Sequence, residues 1–515
     1  MTMRKRLFAV CATLAVTAGV LSVSAKALPE EKLDGEISRD TKVLYDGVTQ
    51  THISLGADSE YGRQEMWFVE FDPKQGDLAI DVTNQSQYSN KLITVEKTIE
   101  SFAENNEGEK VPLVGINGDL WMVSYAHARV EGKGTNYNGY SDAVVTKSLT
   151  LPRGLNIYNG EIITGPHTPR ETPFEGQMNS FAITSDGSAF ISTPTLVIKL
   201  SNKTQNSATQ ATGLNRLPAD NAIMVYSDRG CPTNNSLSDA YEIVLDCDDY
   251  IIKNNSVIKG KVVSIHAEGD ENPKISENKI ILCARGKNQV KKLSAYNIGD
   301  EVELSFIIKD SDNGSDAWNE VVNATGGNMI LVKDGKPINL AAQKVNYPCS
   351  IIGTMKDGNV FFLTNDGRQG KDYSQGLLIK DMPELLVKWG VTDAMLLDGG
   401  GSATMVTINE DGGYDLTNRP CDKDENGNYG QARTVVNSVI LSYIPQEEAT
   451  PEPETEDSNA EEPTEELTSD NETSEGCSGV MSENAAMIII LSAGVMIFIK
   501  RKKIGKLHDN VRSIS

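Results

Sequence analysis

Residues able to do chemistry lie at the ends of apolar runs in this chain. The densest group is Ala394 to Met405, AMLLDGGGSATM, in which Met395, Leu396 and Leu397 read as a buried strand that stops at Asp398, three glycines and Ser402. This places a carboxylate at a strand mouth. Gly399, Gly400 and Gly401 lack a Cβ, so a ligand can approach their backbone N–H groups, and such a loop suits an anionic sugar or a phosphate. A tight structural turn accounts for a glycine triplet equally well. The run Leu113 to Ile116 ends in the same manner, at Asn117, Gly118 and Asp119. Asn117 can donate and accept hydrogen bonds to a sugar, or can simply form an Asn-Gly turn. A third run, Phe361 to Thr364, ends in Asn365-Asp366-Gly367-Arg368.

The elements that position these groups follow from periodicity. Alternation in Met66 to Phe71 and in Leu78 to Val82 predicts two strands joined through Pro73 and Gly76, and Leu92, Val95, Ile99 and Phe102 recur at helical spacing. Hairpins are predicted with turns at Asn159-Gly160, Asp186-Gly187, Asp334-Gly335 and Asp357-Gly358. Met382, Leu385, Leu386 and Trp389 mark a helix that Asp381 and Pro383 start and Gly390 ends, directly before the central strand. The expected fold is α+β: a mixed or antiparallel strand-rich body over residues 28–445, a few packed helices, and an inserted β-rich lobe at about 195–320.

Composition narrows the function. The chain has 515 residues, 39% of them hydrophobic, enough for a sizeable core. Its net charge of −24 argues against a nucleic-acid partner. Much of that charge lies in residues 446–484, which hold fourteen Asp and Glu and no Lys or Arg and read as an acidic stalk. Arg4, Lys5 and Arg6 before the apolar run Leu7 to Leu21, with Ala25-Lys26-Ala27 after it, read as a signal peptide over 1–27. Ala485 to Ile499, followed by Lys500 to Lys503, reads as a C-terminal membrane anchor with residues 500–515 as a basic cytoplasmic tail, although its fifteen residues fall short of the ~20 that span hydrocarbon. The expected location is the cell surface. Export permits disulfides among Cys231, Cys247, Cys283, Cys349, Cys421 and Cys477. No CxxC or HExxH pattern occurs, so no metal or cofactor is expected beyond a Ca²⁺ that Asp366 and Asp398 together could hold.

Asn117-Gly118, Asp366-Gly367, the helix from Asp381, Leu397-Asp398-Gly399-Gly400-Gly401-Ser402-Ala403-Thr404 and Arg433-Thr434-Val435 together resemble the phosphodiester glycosidase family. The resemblance runs from about residue 50 to 445 and implies hydrolysis of the sugar–phosphate bond in a sugar 1-phosphodiester such as an N-acetylglucosamine 1-phosphodiester. It implies Asp398 and Asp366 as catalytic carboxylates, Arg433 and Arg368 as phosphate ligands, and Asn117, Gly118, Gly399, Gly400, Gly401 and Ser402 as further substrate contacts. Two departures stand out. Cys349-Ser350 replaces a family arginine stretch, and Pro420-Cys421-Asp422 replaces Pro-Ser-Asp, which suggests a Cys349–Cys421 disulfide over the site with Cys231–Cys247 as a second bridge. A glycan-binding protein that has lost catalysis, or a glycosidase acting on a non-phosphate substrate, are the alternatives.

Overall fold

The computed structural model describes residue 28 and residues 31–83, 92–121, 151–166, 178–216, 221–230 and 240–446. The expected signal peptide, all of the stalk beyond Gln446, the anchor, the basic tail and Cys231 lie outside the described residues. Among the described residues no helix is long and apolar enough to cross a membrane.

Seven strands bear on the site: β1 (Gln64–Phe71), β2 (Val111–Asn117), β3 (Cys349–Met355), β4 (Val360–Asn365), β5 (Val391–Gly399), β6 (Met405–Ile408) and β7 (Ser438–Tyr443). An eight-stranded sheet runs Glu36–Tyr45, Val48–Leu55, β1, β4, β3, β5, Ile330–Lys333, Lys336–Pro337, with every pair antiparallel. It is covered on both faces. Met395 and Leu397 pack with Ile352 and Phe362 against Val114, Ile116, Met405 and Leu441 of a second, five-stranded sheet that holds β6, β2 and β7. Ala394 and Leu396 pack on the other face with Ile351 and Phe361 under Met382, Leu385, Leu386 and Trp389. Because side chains alternate along a strand, the unbroken apolar run of β5 is what burial on two faces requires.

The α+β expectation holds in its strand-rich part. The helices are few: α1 (Val95–Asn105), α2 (Lys287–Leu293) and α3 (Met382–Lys388) among the described residues. Thr94 caps α1 by accepting from the Lys97 N–H, and Val95 and Ile99 rest on β6 and the loop before β7. Gly115 lets that helix sit close, since a Cβ there would lie 3.2 Å from Val95 Cγ1. In α3, Pro383 occupies the first turn as expected, but Asp381 makes no side-chain cap and pairs instead with Lys380.

Each predicted hairpin turn joins paired or adjoining strands, with Asn159, Gly160, Gly187, Asp334, Gly335 and Gly358 at positive φ. The strands around Met66 and Leu78 form too, but in different sheets: β1 lies in the eight-stranded sheet, while Leu78–Val82 pairs with β7. Residues Thr195–Asn202 through Glu301–Lys309 build another eight-stranded sheet, and Asn156–Tyr158, Glu161–Thr164, Asn179–Thr184, Ala189–Ser192 and Val321–Gly327 form a five-stranded one.

Glu70 of β1 is buried, with Asn359 donating to its Oε1 at 2.9 Å. Burial lifts its carboxyl from 4.5 to about 7 against the pull of the Asn359 bond, and the charge of Asp357 adds to the rise. Between 4.5 and about 7 the folded chain therefore keeps a proton that the unfolded chain has released, so stability falls as pH rises through this window. Glu70→Gln should flatten that fall, measured as a smaller loss of Tm between pH 5 and pH 8 than in the parent; an equal loss would exonerate Glu70.

Candidate active site

The end of β5 is where the two packed sheets meet. Cys349 pairs with Gly399 but Ile351 pairs with Leu396, so β5 carries one more residue than β3 between these pairs. This bulge re-aims the strand end at Asp398. The Asp398 N–H donates to Gly118 O at 3.0 Å, and its carbonyl accepts from Asn117 Nδ2 at 2.8 Å. Asn117 Oδ1 accepts from Ser350 Oγ at 2.6 Å and from the Thr404 N–H at 3.0 Å. Asn117 is wholly buried, and its carboxamide ties Asp398 to Ser350 and Thr404. Gly118 is likewise a packing position: a Cβ there would meet Asn437 Oδ1 at 2.5 Å.

The glycine turn after Asp398 is packed from three sides. A Cβ on Gly399 would lie 2.3 Å from Tyr347 Cε1, one on Gly400 3.0 Å from Arg368 Nη1, and one on Gly401 2.2 Å from Asp422 Oδ1 and 2.3 Å from Arg433 Nη2. Gly400 also takes φ +65°, a region favourable to glycine. Two of the turn's N–H groups are already engaged, Gly399 with Asp398 Oδ1 at 3.0 Å and Gly400 with Pro348 O at 2.8 Å.

Around this turn the charges converge. Asp398 is half-buried, and burial raises its carboxyl above the usual range against the opposing effects of the Ser402 hydroxyl, the Gly399 N–H and the charges of Arg433 and Arg153. Arg433 grips Asp422 bidentately, Nε to Oδ2 and Nη2 to Oδ1, both at 2.8 Å. Arg368 is exposed, stands 5.0 Å above the Tyr347 ring and, among the described residues, pairs with no carboxylate. Its backbone takes φ +58°, a strained conformation for arginine that aims the side chain at the turn.

Asp366 differs from Asp398. It is 1% exposed, and its oxygens accept from Asn418 Nδ2 at 2.8 Å, Tyr373 OH at 2.7 Å and the Arg419 N–H at 2.9 and 3.2 Å. Burial raises it to about 6 against these bonds. Since Cys349 stands between Asn365 and Gly399 in the sheet, the two aspartates begin about 10 Å apart, two strand spacings. Among the described residues no three metal-donor side chains gather.

The disulfide expectation is corrected. Cys349, Cys421 and Cys247 carry free thiols, while Cys231 lies outside the described residues. Cys349 packs into the apolar core with Ile351, Leu363 and Leu377, and burial pushes its thiol up to about 12. Cys421 faces the other way, toward Arg368, Asp422 and Arg433. Sequence reasoning also passed over Tyr347 and Asp422, and it named Asp119 beside Asn117-Gly118 without using it. A cavity of about 430 Å³ lined by Gln75, Asp81, Lys110, Thr184 and Asn323 contains none of the expected site residues, and its one buried carboxylate is already paired with Lys110.

Two measurements check this arrangement. Non-reducing peptide mapping should find Cys349 and Cys421 unlinked, with iodoacetamide labelling Cys421 well before Cys349 in the native protein. Asn117→Ala strands the Ser350 hydroxyl and the Thr404 N–H, which should cost about 2–4 kcal/mol in denaturant unfolding; a loss under about 0.5 kcal/mol would show that Asn117 does not brace the site.

Comparison with known proteins places these residues in context. Residues 253–442 match the phosphodiester glycosidase family model. The SPbeta prophage-derived protein YomE of Bacillus subtilis is 35% identical over 126 residues, which is 24% of this chain and 17% of YomE, so the chain spans about a sixth of that relative. A solved protein of Synechocystis aligns at 16% identity with TM-score 0.56, over 79% of this chain and 64% of its own. A protein of Burkholderia pseudomallei described as exported aligns at 15% identity with TM-score 0.56, over 81% of this chain and 99% of its own. These likenesses show a shared fold. Asp366, Arg368, Asp398, the glycine turn, Asp422 and Arg433 all fall inside residues 253–442, the stretch that matches the phosphodiester glycosidase family model.

Proposed function

We propose that the chain hydrolyses the sugar–phosphate bond of a sugar 1-phosphodiester, with an N-acetylglucosamine 1-phosphodiester as the reference substrate. The observation that carries this reading is the convergence of Asp398, Arg368 and Arg433 on one glycine turn. In the reaction the C1–O bond breaks, water supplies hydroxyl to C1, and the departing oxygen leaves as a phosphomonoester. A phosphate whose second pKa is about 6 departs readily once its charge is held, so guanidinium groups take the place of a general acid. Arg368, which pairs with no carboxylate among the described residues, presents its fork for this, and Arg433 adds the part of its guanidinium that Asp422 leaves open.

Asp398 then has two tasks, to support the positive charge developing at C1 and to take the proton of the attacking water. It must be ionised to act. Its raised titration therefore places the acid limb of the pH–rate profile above the ordinary carboxylate range, with activity lost as pH falls through it. Asp366, enclosed by four hydrogen bonds, serves to hold the loop that carries Arg368 and Arg419.

The setting is proposed from sequence: export by the Leu7 to Leu21 run, a stalk over residues 446–484, and a surface anchor at Ala485 to Ile499 with a cytoplasmic basic tail. Envelope or host glycans would then be the substrates within reach.

The test is release of N-acetylglucosamine from UDP-N-acetylglucosamine or a simpler N-acetylglucosamine 1-phosphodiester. Asp398→Asn should lower kcat by about 10³-fold or more with little change in binding, and Arg433→Ala should raise KM by about tenfold or more. Near-normal kcat/KM in either variant would remove that residue from its role. A parent protein inactive on a panel of sugar 1-phosphodiesters would end the hydrolase reading.

A further inference from the structure

Asp119 is a buried carboxyl that the site as described leaves unused. It is 1% exposed, its N–H donates to Asn437 Oδ1 at 2.8 Å, and its Oδ2 accepts from the Gly154 N–H at 2.6 Å. Among the described residues, Oδ1 has no hydrogen-bond partner. Two glycines make the room it occupies: a Cβ on Gly326 would lie 2.4 Å from Asp119 Oδ2, and one on Gly154 would lie 2.4 Å from Gly326 Cα. Burial raises this carboxyl to about 7, against the Gly154 N–H and the charges of neighbouring cations.

Those cations are Arg216 and Arg153. Arg216 is wholly buried, with Nη1 on the Pro152 carbonyl, and serves the interior. Arg153 is half-buried and interacts with a second carboxylate, Asp398. The backbone fixes this relation: the Asp398 N–H donates to Gly118 O at 3.0 Å, and the Arg153 N–H donates to Leu120 O at 2.9 Å. Residues 118–120 thus join Asp398 to Arg153, and Asp119 is the middle of that link.

We propose that Arg153 is a further substrate-binding cation of the site, reaching the phosphoryl oxygens from the edge formed by residues 118–120, and that Asp119 is the positioning residue that holds it there. The inference rests on the reading that the site takes a sugar phosphodiester. The charges of Arg433 and Arg153 both act on Asp398, so Arg153 faces the carboxyls of Asp119 and Asp398 together.

The experiment uses the full chain with Arg153→Ala, Arg153→Lys, Asp119→Asn and the Asp119→Asn/Arg153→Ala double variant. Turnover of UDP-N-acetylglucosamine gives kcat and KM, and calorimetry gives the Kd for UDP-N-acetylglucosamine where it is not cleaved and for UDP where it is. Arg153→Ala should raise KM and Kd about tenfold or more while kcat changes less, and Arg153→Lys should recover part of the loss. Asp119→Asn should raise KM in the same direction, and the double variant should bind no worse than Arg153→Ala, because Asp119 acts through Arg153. Unchanged KM and Kd in Arg153→Ala, or a full Asp119→Asn effect on top of Arg153→Ala, would overturn the proposal. Misfolding of the alanine variant would not hide the result, since Arg153→Lys keeps both charge and most of the volume. A parent that binds UDP-N-acetylglucosamine without cleaving it would remove the hydrolase yet leave Arg153 supported if its alanine variant binds tenfold more weakly. A parent that binds neither probe would overturn Arg153 as a phosphate ligand.

Discussion

The carboxamide of Asn117 is the joint on which the site depends. It stands at the end of β2 in one sheet and bonds the Asp398 carbonyl and the Ser350 hydroxyl in the other, together with the Thr404 N–H that leads into β6. Sheets packed face to face hold each other by apolar contact, which is strong but carries little directional information. At the strand ends that contact fades, and directional bonds must set the geometry. One side chain with both donors and an acceptor can do this for three backbone segments together. A carboxylate at position 117 would accept but not donate, and a leucine would do neither.

Once the strand ends are fixed, the glycine turn decides what can surround Asp398. Tyr347, Arg368 and the Asp422–Arg433 pair each fill a space that a side chain on Gly399, Gly400 or Gly401 would take. The triplet is therefore a docking surface for protein groups as much as for a ligand. Tyr347 supports this arrangement from behind: its ring lies against Gly399 and carries the Arg368 guanidinium on its face. The arginine is thereby held near the turn, and among the described residues no carboxylate cancels its charge.

Much of this was legible in the residues themselves. Asn-Gly and Asp-Gly dipeptides mark turns because their backbone angles are local, and the Leu-Asp-Gly-Gly-Gly-Ser run announces a strand mouth for the same reason. The segregation of β1 and Leu78–Val82 into different sheets was not legible, because pairing partners such as β7 lie far along the chain. The cysteines were misread for a related cause. Cys349 sits on the face of β3 that packs under α3, and which face a strand turns to a helix depends on register with its neighbours rather than on its own sequence. Arg153 was missed because nothing near it is distinctive; its meaning comes from Leu120 and Asp119, contacts that only the fold creates.

The bonds that define the site are among the longest in sequence. Asn117 meets Asp398 across 281 residues, and Asp119 meets Asn437 across 318. Closing such loops precedes any energetic return from the contacts they bring, which makes assembly of this region a late and slow event in folding. During synthesis the arrangement around Asp398 is incomplete until β7, which begins at Ser438, is made and paired. Copies caught partway carry the aspartate and the glycine turn with no geometry around them, so the arrangement around Asp398 arrives only with the completed body.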